Sequence, residues 1–309
     1  MWALPWIRLV VVRLQFVVSA SATLVANSRF AAASAAVNRA TEAIAAVERK
    51  VRARIGLTVL HPHGSLAIAR RARERFPLAS TQKLALVMTV LARRDLDPNH
   101  AVRISRTDLD SPDYSYISEH YPNGGTLRLA DICALTISHS DNTGADVLAR
   151  LVGGPHAVTT YLRSIGVTDV RIDRTERELP DEADESDPRD TGTPQATAHL
   201  VWRLAYASPL APGVTHTLLT WMFATVTGNK RIRAGVPQGW RVADKTGSYA
   251  NAANDIGLTT RLTGRRWQSH VTWTESEQPT MVAKRSQASS RQYARCFEST
   301  PGASVLTRG

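Results

Sequence analysis

Between Thr81 and Leu91 the chain carries Leu84, Ala85, Leu86, Val87, Met88 and Val90, so a helix here would be apolar on nearly every side. A surface helix keeps its apolar residues in one stripe, whereas one that is apolar all round has to be enclosed by other elements. The chain must therefore build layers around this segment. Its 309 residues are enough for one large core or for two domains sharing an interface.

The flanking segments supply those layers. Val37, Ile44, Val47 and Val51 recur at helical spacing, which predicts an amphipathic helix over 31–51. Ile55 to Leu60 and Ser65 to Ala69 flank the turn at His61-Pro62-His63-Gly64 and predict two strands. With no partner ligands nearby, the two histidines are turn residues, not a metal site. Further helices are predicted over 129–137, over 145–152 (stopped by Gly153-Gly154-Pro155), over 194–207 after the Thr193 cap, and around Leu218 to Val226. Strands follow at about 240–246 and 254–262. Strands at both ends and helices between them imply an α/β fold in which one sheet gathers the terminal pieces and a helical domain is inserted. The boundaries expected are 31–76 and 222–267 for the α/β domain and 77–221 for the helical domain, with a leader at 1–30 and an atypical tail at 268–309.

The formal net charge of +11 raises the question of nucleic acid. Residues 1–30 hold three Arg and no acid, and residues 264–309 hold seven Lys and Arg against three acids. Much of the excess is therefore terminal, and no basic stripe interleaved with aromatics is present, so nucleic acid is not an expected partner. No apolar run reaches the length of a membrane span, so stable membrane insertion is not expected either. The run from Leu9 to Val18, followed by Ala20-Ser21-Ala22, reads as an export signal, though Arg13 and Gln15 interrupt it. Two cysteines far apart exclude a disulfide scaffold and a thiolate zinc site.

Three short motifs carry chemistry. Ser80-Thr81-Gln82-Lys83 opens the buried helix, where residues three apart share a face. A serine hydroxyl is a weak nucleophile until a neighbouring base takes its proton, and a desolvated lysine can be that base. Ser140-Asp141-Asn142 lies between two helices and offers a hydroxyl for proton shuttling and an amide for a substrate carbonyl. Lys245-Thr246-Gly247-Ser248 lies on a predicted strand, with positive charge, a hydroxyl and a glycine that lets a ligand approach the backbone. Singly, these are a capped helix, a capping loop and an edge strand with a protective lysine. All three in this order are hard to obtain by chance.

Together they resemble the signature set of class A serine β-lactamases and penicillin-binding proteins. Arg174-Thr175-Glu176-Arg177-Glu178-Leu179, followed by Asp187-Pro188-Arg189-Asp190, resembles the class A omega loop and favours the lactamase. The resemblance runs from about 31 to 266 and implies a two-domain serine β-lactamase-like fold, with an antiparallel sheet flanked by helices and an inserted all-helical domain. It implies hydrolysis of the β-lactam amide through an acyl-serine intermediate, without metal or organic cofactor, by an exported monomer. In it Ser80 looks like the nucleophile, Lys83 its partner, Ser140 the relay to the leaving nitrogen and Glu176 the base for the deacylating water. Whether Lys83 or Glu176 deprotonates Ser80 stays open. Asn142, Lys245, Thr246, Gly247, Ser248 and Arg231 look like the substrate-binding set, with the backbone N–H groups of Ser80 and Ser248 as oxyanion hole. Arg231 matches one of two places for the assisting arginine; the other is Ala253. Tyr114 resembles the aromatic that flanks the cleft.

The chain departs from the pattern in three places. Pro180 stands where the family usually has an asparagine that helps hold the deacylating water. Cys133 falls at a half-cystine position whose partner position is Val87, which implies a buried free thiol. Residues 268–309 contain one Leu, three Val and no Ile, too few for the apolar strand and amphipathic helix that end the family fold. A reading frame shifted at the Val271 codon, with G or C assumed in each free third position, would restore a family-like strand end and charged helix start. Two other functions stay open: a penicillin-binding D,D-peptidase, and a non-functional relic with a damaged C-terminus.

Overall fold

The computed structural model describes residues 26–109, 115–261 and 269–277, with the backbone alone over 26–34, at 36 and 261, and over 269–277. A helix, α1 (Ala26–Val51), leads into strands β1 (Ala53–Leu60) and β2 (Leu66–Arg70). A short strand β3 (Phe76–Pro77) and a 3-10 turn at Ala79–Thr81 then enter α2 (Gln82–Ala92). The middle of the chain holds β4 (Ala101–Ile104), α3 (Tyr116–His120), β5 (Gly125–Arg128), α4 (Leu129–Ser138), α5 (Asn142–Val152) and α6 (Pro155–Ser164). After β6 (Thr191–Gly192) come α7 (Pro194–Tyr206), α8 (Pro212–Phe223) and α9 (Ile232–Gly235). Strands β7 (Trp240–Tyr249), β8 (Ala252–Arg261) and β9 (Ser269–Glu277) follow.

The main sheet has five strands in the order β2-β1-β9-β8-β7, and its neighbours pair antiparallel. The N-terminal strands and the β7–β8 hairpin thus meet through β9. Along β1, alternate residues go to opposite faces. Ile55, Leu57 and Val59 join Ala40 and Ile44 of α1, Ile68, Ile232 and Val242 in a cluster on one face. The larger core lies on the other side, where Ala243, Ile256 and Leu258 meet the helices. There α2 is enclosed as its composition requires: Leu84, Val87 and Met88 are fully buried among α4, α5 and α6 residues such as Ile132, Leu148 and Leu162. Gly56 of β1 lets Phe76 and Pro194 seat against the sheet, since a Cβ there would lie 2.5 Å from Phe76 and 2.6 Å from Pro194. Cys133 is buried and free, and burial pushes its thiol up.

One expectation is corrected. The tail is read from sequence as irregular from residue 268, yet Ser269–Glu277 form the central strand of the sheet. A search for a helical apolar stripe misses a strand. Val271-Thr272-Trp273-Thr274 is β-branched and aromatic, which suits a pleated, half-buried surface. β1 and β8 each offer a ladder edge that needs a partner, and β9 pairs with both over eight positions.

Candidate active site

The 3-10 turn at Ala79–Thr81 delivers Ser80 to the mouth of α2, and Lys83 follows one turn on. Ala79 adopts φ +47° and Ser140 φ +59°, a left-handed conformation that non-glycine residues adopt at a cost. Both positions border the Ser80–Lys83 pair. Lys83 is fully buried, and a buried ammonium has to be paired and hydrogen-bonded. Its Nζ donates to Ser80 Oγ at 3.0 Å, to the Ser140 carbonyl at 2.8 Å and to Asn142 Oδ1, and lies 3.1 Å from Glu176 Oε2. Ser80 Oγ donates in turn to Glu176 Oε2 at 3.2 Å.

Glu176 is set in place by its own loop. Thr175 and Glu178 form a capping box around the 3-10 turn at Glu176–Glu178. Asp146 of α5, buried, accepts from the Glu176 N–H at 2.7 Å and from Arg177 at 2.9 Å. The two ends of the loop are tied by Arg174 and Asp190 at 2.5 Å, and Asp190 also accepts from the Asp173 and Arg174 N–H groups. Burial by itself would raise the Glu176 carboxyl. The charge of Lys83 and hydrogen bonds from Gln82 and Lys83 outweigh it and hold the group below its ordinary value. Glu176 therefore carries its charge at neutral pH, as an acceptor next to the serine hydroxyl.

Ser140 and Asn142 are placed by the residue between them. Asp141 caps α5 by accepting from the Gly144 N–H at 2.6 Å, and it also accepts from Ser115 Oγ and the Ile117 N–H. The loop is fixed on both sides. Lys245 reaches it from β7, donating to Ser140 Oγ at 2.8 Å. Lys245 is fully buried; burial and the nearby Lys83 charge hold its ammonium well below the usual lysine range.

β7 runs close beside the Ser80 turn. A Cβ at Gly247 would lie 2.7 Å from Leu78 O, 2.8 Å from Thr81 N and 3.0 Å from Ser80 N, so only glycine permits this approach. Asn254 of β8 donates to the Pro77 and Leu78 carbonyls at 2.7 and 3.0 Å and fastens the turn to the sheet. Arg231 donates to Ser248 Oγ at 2.6 Å and to the Gly247 carbonyl at 2.8 Å. Thr246 Oγ1 shares a hydrogen bond of 2.7 Å with Thr227 Oγ1.

Ten of the eleven residues singled out from sequence thus converge: Ser80, Lys83, Ser140, Asn142, Glu176, Arg231, Lys245, Thr246, Gly247 and Ser248. The eleventh, Tyr114, lies outside the described residues. Gln82, Asp146 and Thr227 contact members of the set and were not singled out. For Gln82 the signal is present in the sequence, as an amide inside an otherwise apolar helix. Asp146 and Thr227 have no such signal, since their contacts depend on tertiary placement.

A serine hydroxyl, two buried lysines and a buried carboxylate in one hydrogen-bonded network have the chemistry for acyl transfer to water. The model of the β-lactamase enzyme family matches residues 39–295. The chain belongs to the β-lactamase enzyme family. The match continues through β9, beyond residue 266 where the sequence reading ends the resemblance. The β-lactamase L2 of Stenotrophomonas maltophilia is 39% identical over 232 residues, covering 74% of this chain and 76% of the relative. The β-lactamase CTX-M-97 of Escherichia coli is 35% identical over 251 residues, with 80% and 81% covered. The solved structure of an ancestral class A β-lactamase is 39% identical, with a TM-score of 0.72 over 78% of this chain and 92% of that one. The fold of this β-lactamase family member is therefore the class A fold, as the three motifs together with the stretch around Glu176 imply.

Proposed function

We propose that this chain hydrolyses the amide of penicillin- and cephalosporin-type β-lactams through an acyl-Ser80 intermediate, an activity that confers antibiotic resistance. The observation that carries this reading is Ser80 Oγ, held at once by Lys83 Nζ at 3.0 Å and by Glu176 Oε2 at 3.2 Å. In acylation Ser80 Oγ attacks the lactam carbonyl and gives up its proton to this pair. The C–N bond breaks, and the ring nitrogen receives a proton through Ser140, which Lys245 and Lys83 both contact. The backbone N–H groups of Ser80 and Ser248 would stabilise the oxyanion, since donors aimed at developing charge lower the barrier most. Lys245, Thr246, Ser248 and Arg231 form a basic, hydroxyl-rich wall suited to the substrate carboxylate. Asn142 suits the substrate amide carbonyl.

Glu176 then takes a proton from water, which attacks the acyl carbonyl and releases Ser80. A deacylating carboxylate in this position favours a lactamase over a penicillin-binding D,D-peptidase. The apolar run before Ala20-Ser21-Ala22 supports export, and among the described residues no helix is long and apolar enough to cross a membrane. We take the working unit to be a monomer, as the resemblance to class A β-lactamases implies.

Turnover of benzylpenicillin quenched in acid, digested and mapped by mass is expected to place a penicilloyl group on Ser80. Label on another serine, or hydrolysis with no covalent adduct at any time point, would overturn the proposal.

A further inference from the structure

Gln82 lies between Ser80 and Lys83 in sequence, buried in the first turn of α2. Its Nε2 donates to Glu176 Oε1 at 3.0 Å. The other carboxylate oxygen, Oε2, receives the Ser80 hydroxyl at 3.2 Å and lies 3.1 Å from Lys83 Nζ. The two oxygens are thus divided, one to Gln82 and one to the reacting groups. No other side-chain amide reaches the Glu176 carboxylate among the described residues, and Pro180, four residues on, has none to offer.

The amide's own oxygen tells what the side chain is for. Gln82 Oε1 is buried and accepts no hydrogen bond among the described residues. Burying a side-chain amide costs more than burying a methionine or leucine of similar size. The hydrogen bond to Glu176 is what a glutamine supplies here and those residues do not. Gln82 and Glu176 also line a cavity of about 20 Å³ with Leu86, Val158 and Ile172.

We infer that Gln82 is a positioning residue for the general base: its amide pins Glu176 Oε1 and leaves Oε2 as the one oxygen that faces the nucleophile and the attacking water. The inference rests on the reading of Glu176 as the base. A hydrogen bond to a charged carboxylate also favours the charged form, so the same contact helps keep Glu176 ionised as pH falls.

The test uses the full chain with Gln82→Met, which keeps the length and removes the donor, and Gln82→Glu, which keeps the shape and replaces the donor with an acceptor. Acylation and deacylation by benzylpenicillin are followed separately, with the acid limb of kcat and the melting temperature. Gln82→Met is expected to slow deacylation about tenfold to a hundredfold, with a smaller change in acylation. Its acid limb should move to higher pH, because the charged base has lost a donor, while its melting temperature is unchanged or raised. Gln82→Glu should move the acid limb further, since two adjacent carboxylates resist both being ionised. Unchanged deacylation and an unchanged acid limb in both variants would overturn the inference. So would a loss that follows the melting temperature and falls equally on acylation and deacylation. Glu176→Gln, run alongside, separates the two failures. If it still deacylates normally, the reading of Glu176 as base fails and takes the inference with it. If it stalls while Gln82→Met does not slow, the role of Gln82 alone is wrong.

Discussion

Replacing Glu176 by alanine is expected to leave a protein that penicillin acylates and that then stalls. Deacylation needs a base for water, and general-base catalysis of this kind contributes roughly 10²–10⁴-fold. Acylation has a second route. Lys83 also contacts Ser80 Oγ at 3.0 Å and is placed to take the hydroxyl proton in place of the carboxylate. The oxyanion donors and the carboxylate-binding wall are untouched by the change. Intact-mass spectra of Glu176→Ala should therefore show one penicilloyl group per chain, persisting long after the wild-type protein has cleared it. Absence of the adduct would show that Glu176 is required for acylation, in keeping with its direct hydrogen bond from the serine hydroxyl.

The second large effect concerns folding. A chain ending at Gln268 lacks β9, which holds β1 to β8 through two ladders of eight register pairs each. An antiparallel ladder makes about one hydrogen bond per pair, and each contributes roughly 0.5–1.5 kcal/mol net, so the loss is on the order of 10–20 kcal/mol. Whole domains are stable by only ~5–15 kcal/mol. Truncation should also expose two unpaired edges, a template for aggregation. The truncated chain is expected to be insoluble or to show no cooperative unfolding in urea. A chain ending at Glu277, which keeps β9, should be the more soluble of the two. Equal yields and equal transitions for both would show that the sheet holds without its middle strand.

Much of this architecture is legible in the residues because local physics and function ask for the same ones. The apolar faces of α1, α2, α4 and α7 announce helices, and each is found within a few residues of the expected bounds. The site is legible because acyl transfer needs a serine, a lysine and a carboxylate at fixed places on helix starts and turns. Where structure and sequence expectation differ, the causes are physical. α5 begins at Asn142, earlier than its apolar periodicity suggests, because Asp141 caps it. β7 runs on to Tyr249, past its last buried apolar residue, because its ladder with β8 continues alongside the Ser80 turn. β9 is hard to read from sequence because polar β-branched residues look unlike a core segment until the two edges they join are known. The contacts of Asp146 and Thr227 arise between elements far apart in sequence, and no local pattern encodes them.

Nitrocefin supplied in large excess to the full 309-residue chain tests most directly whether it turns over β-lactams at Ser80 or merely binds them. The expected result is hydrolysis that continues well past one equivalent per chain and vanishes in Ser80→Ala. Release of a single equivalent followed by silence would contradict it and favour a penicillin-binding protein that acylates and does not let go.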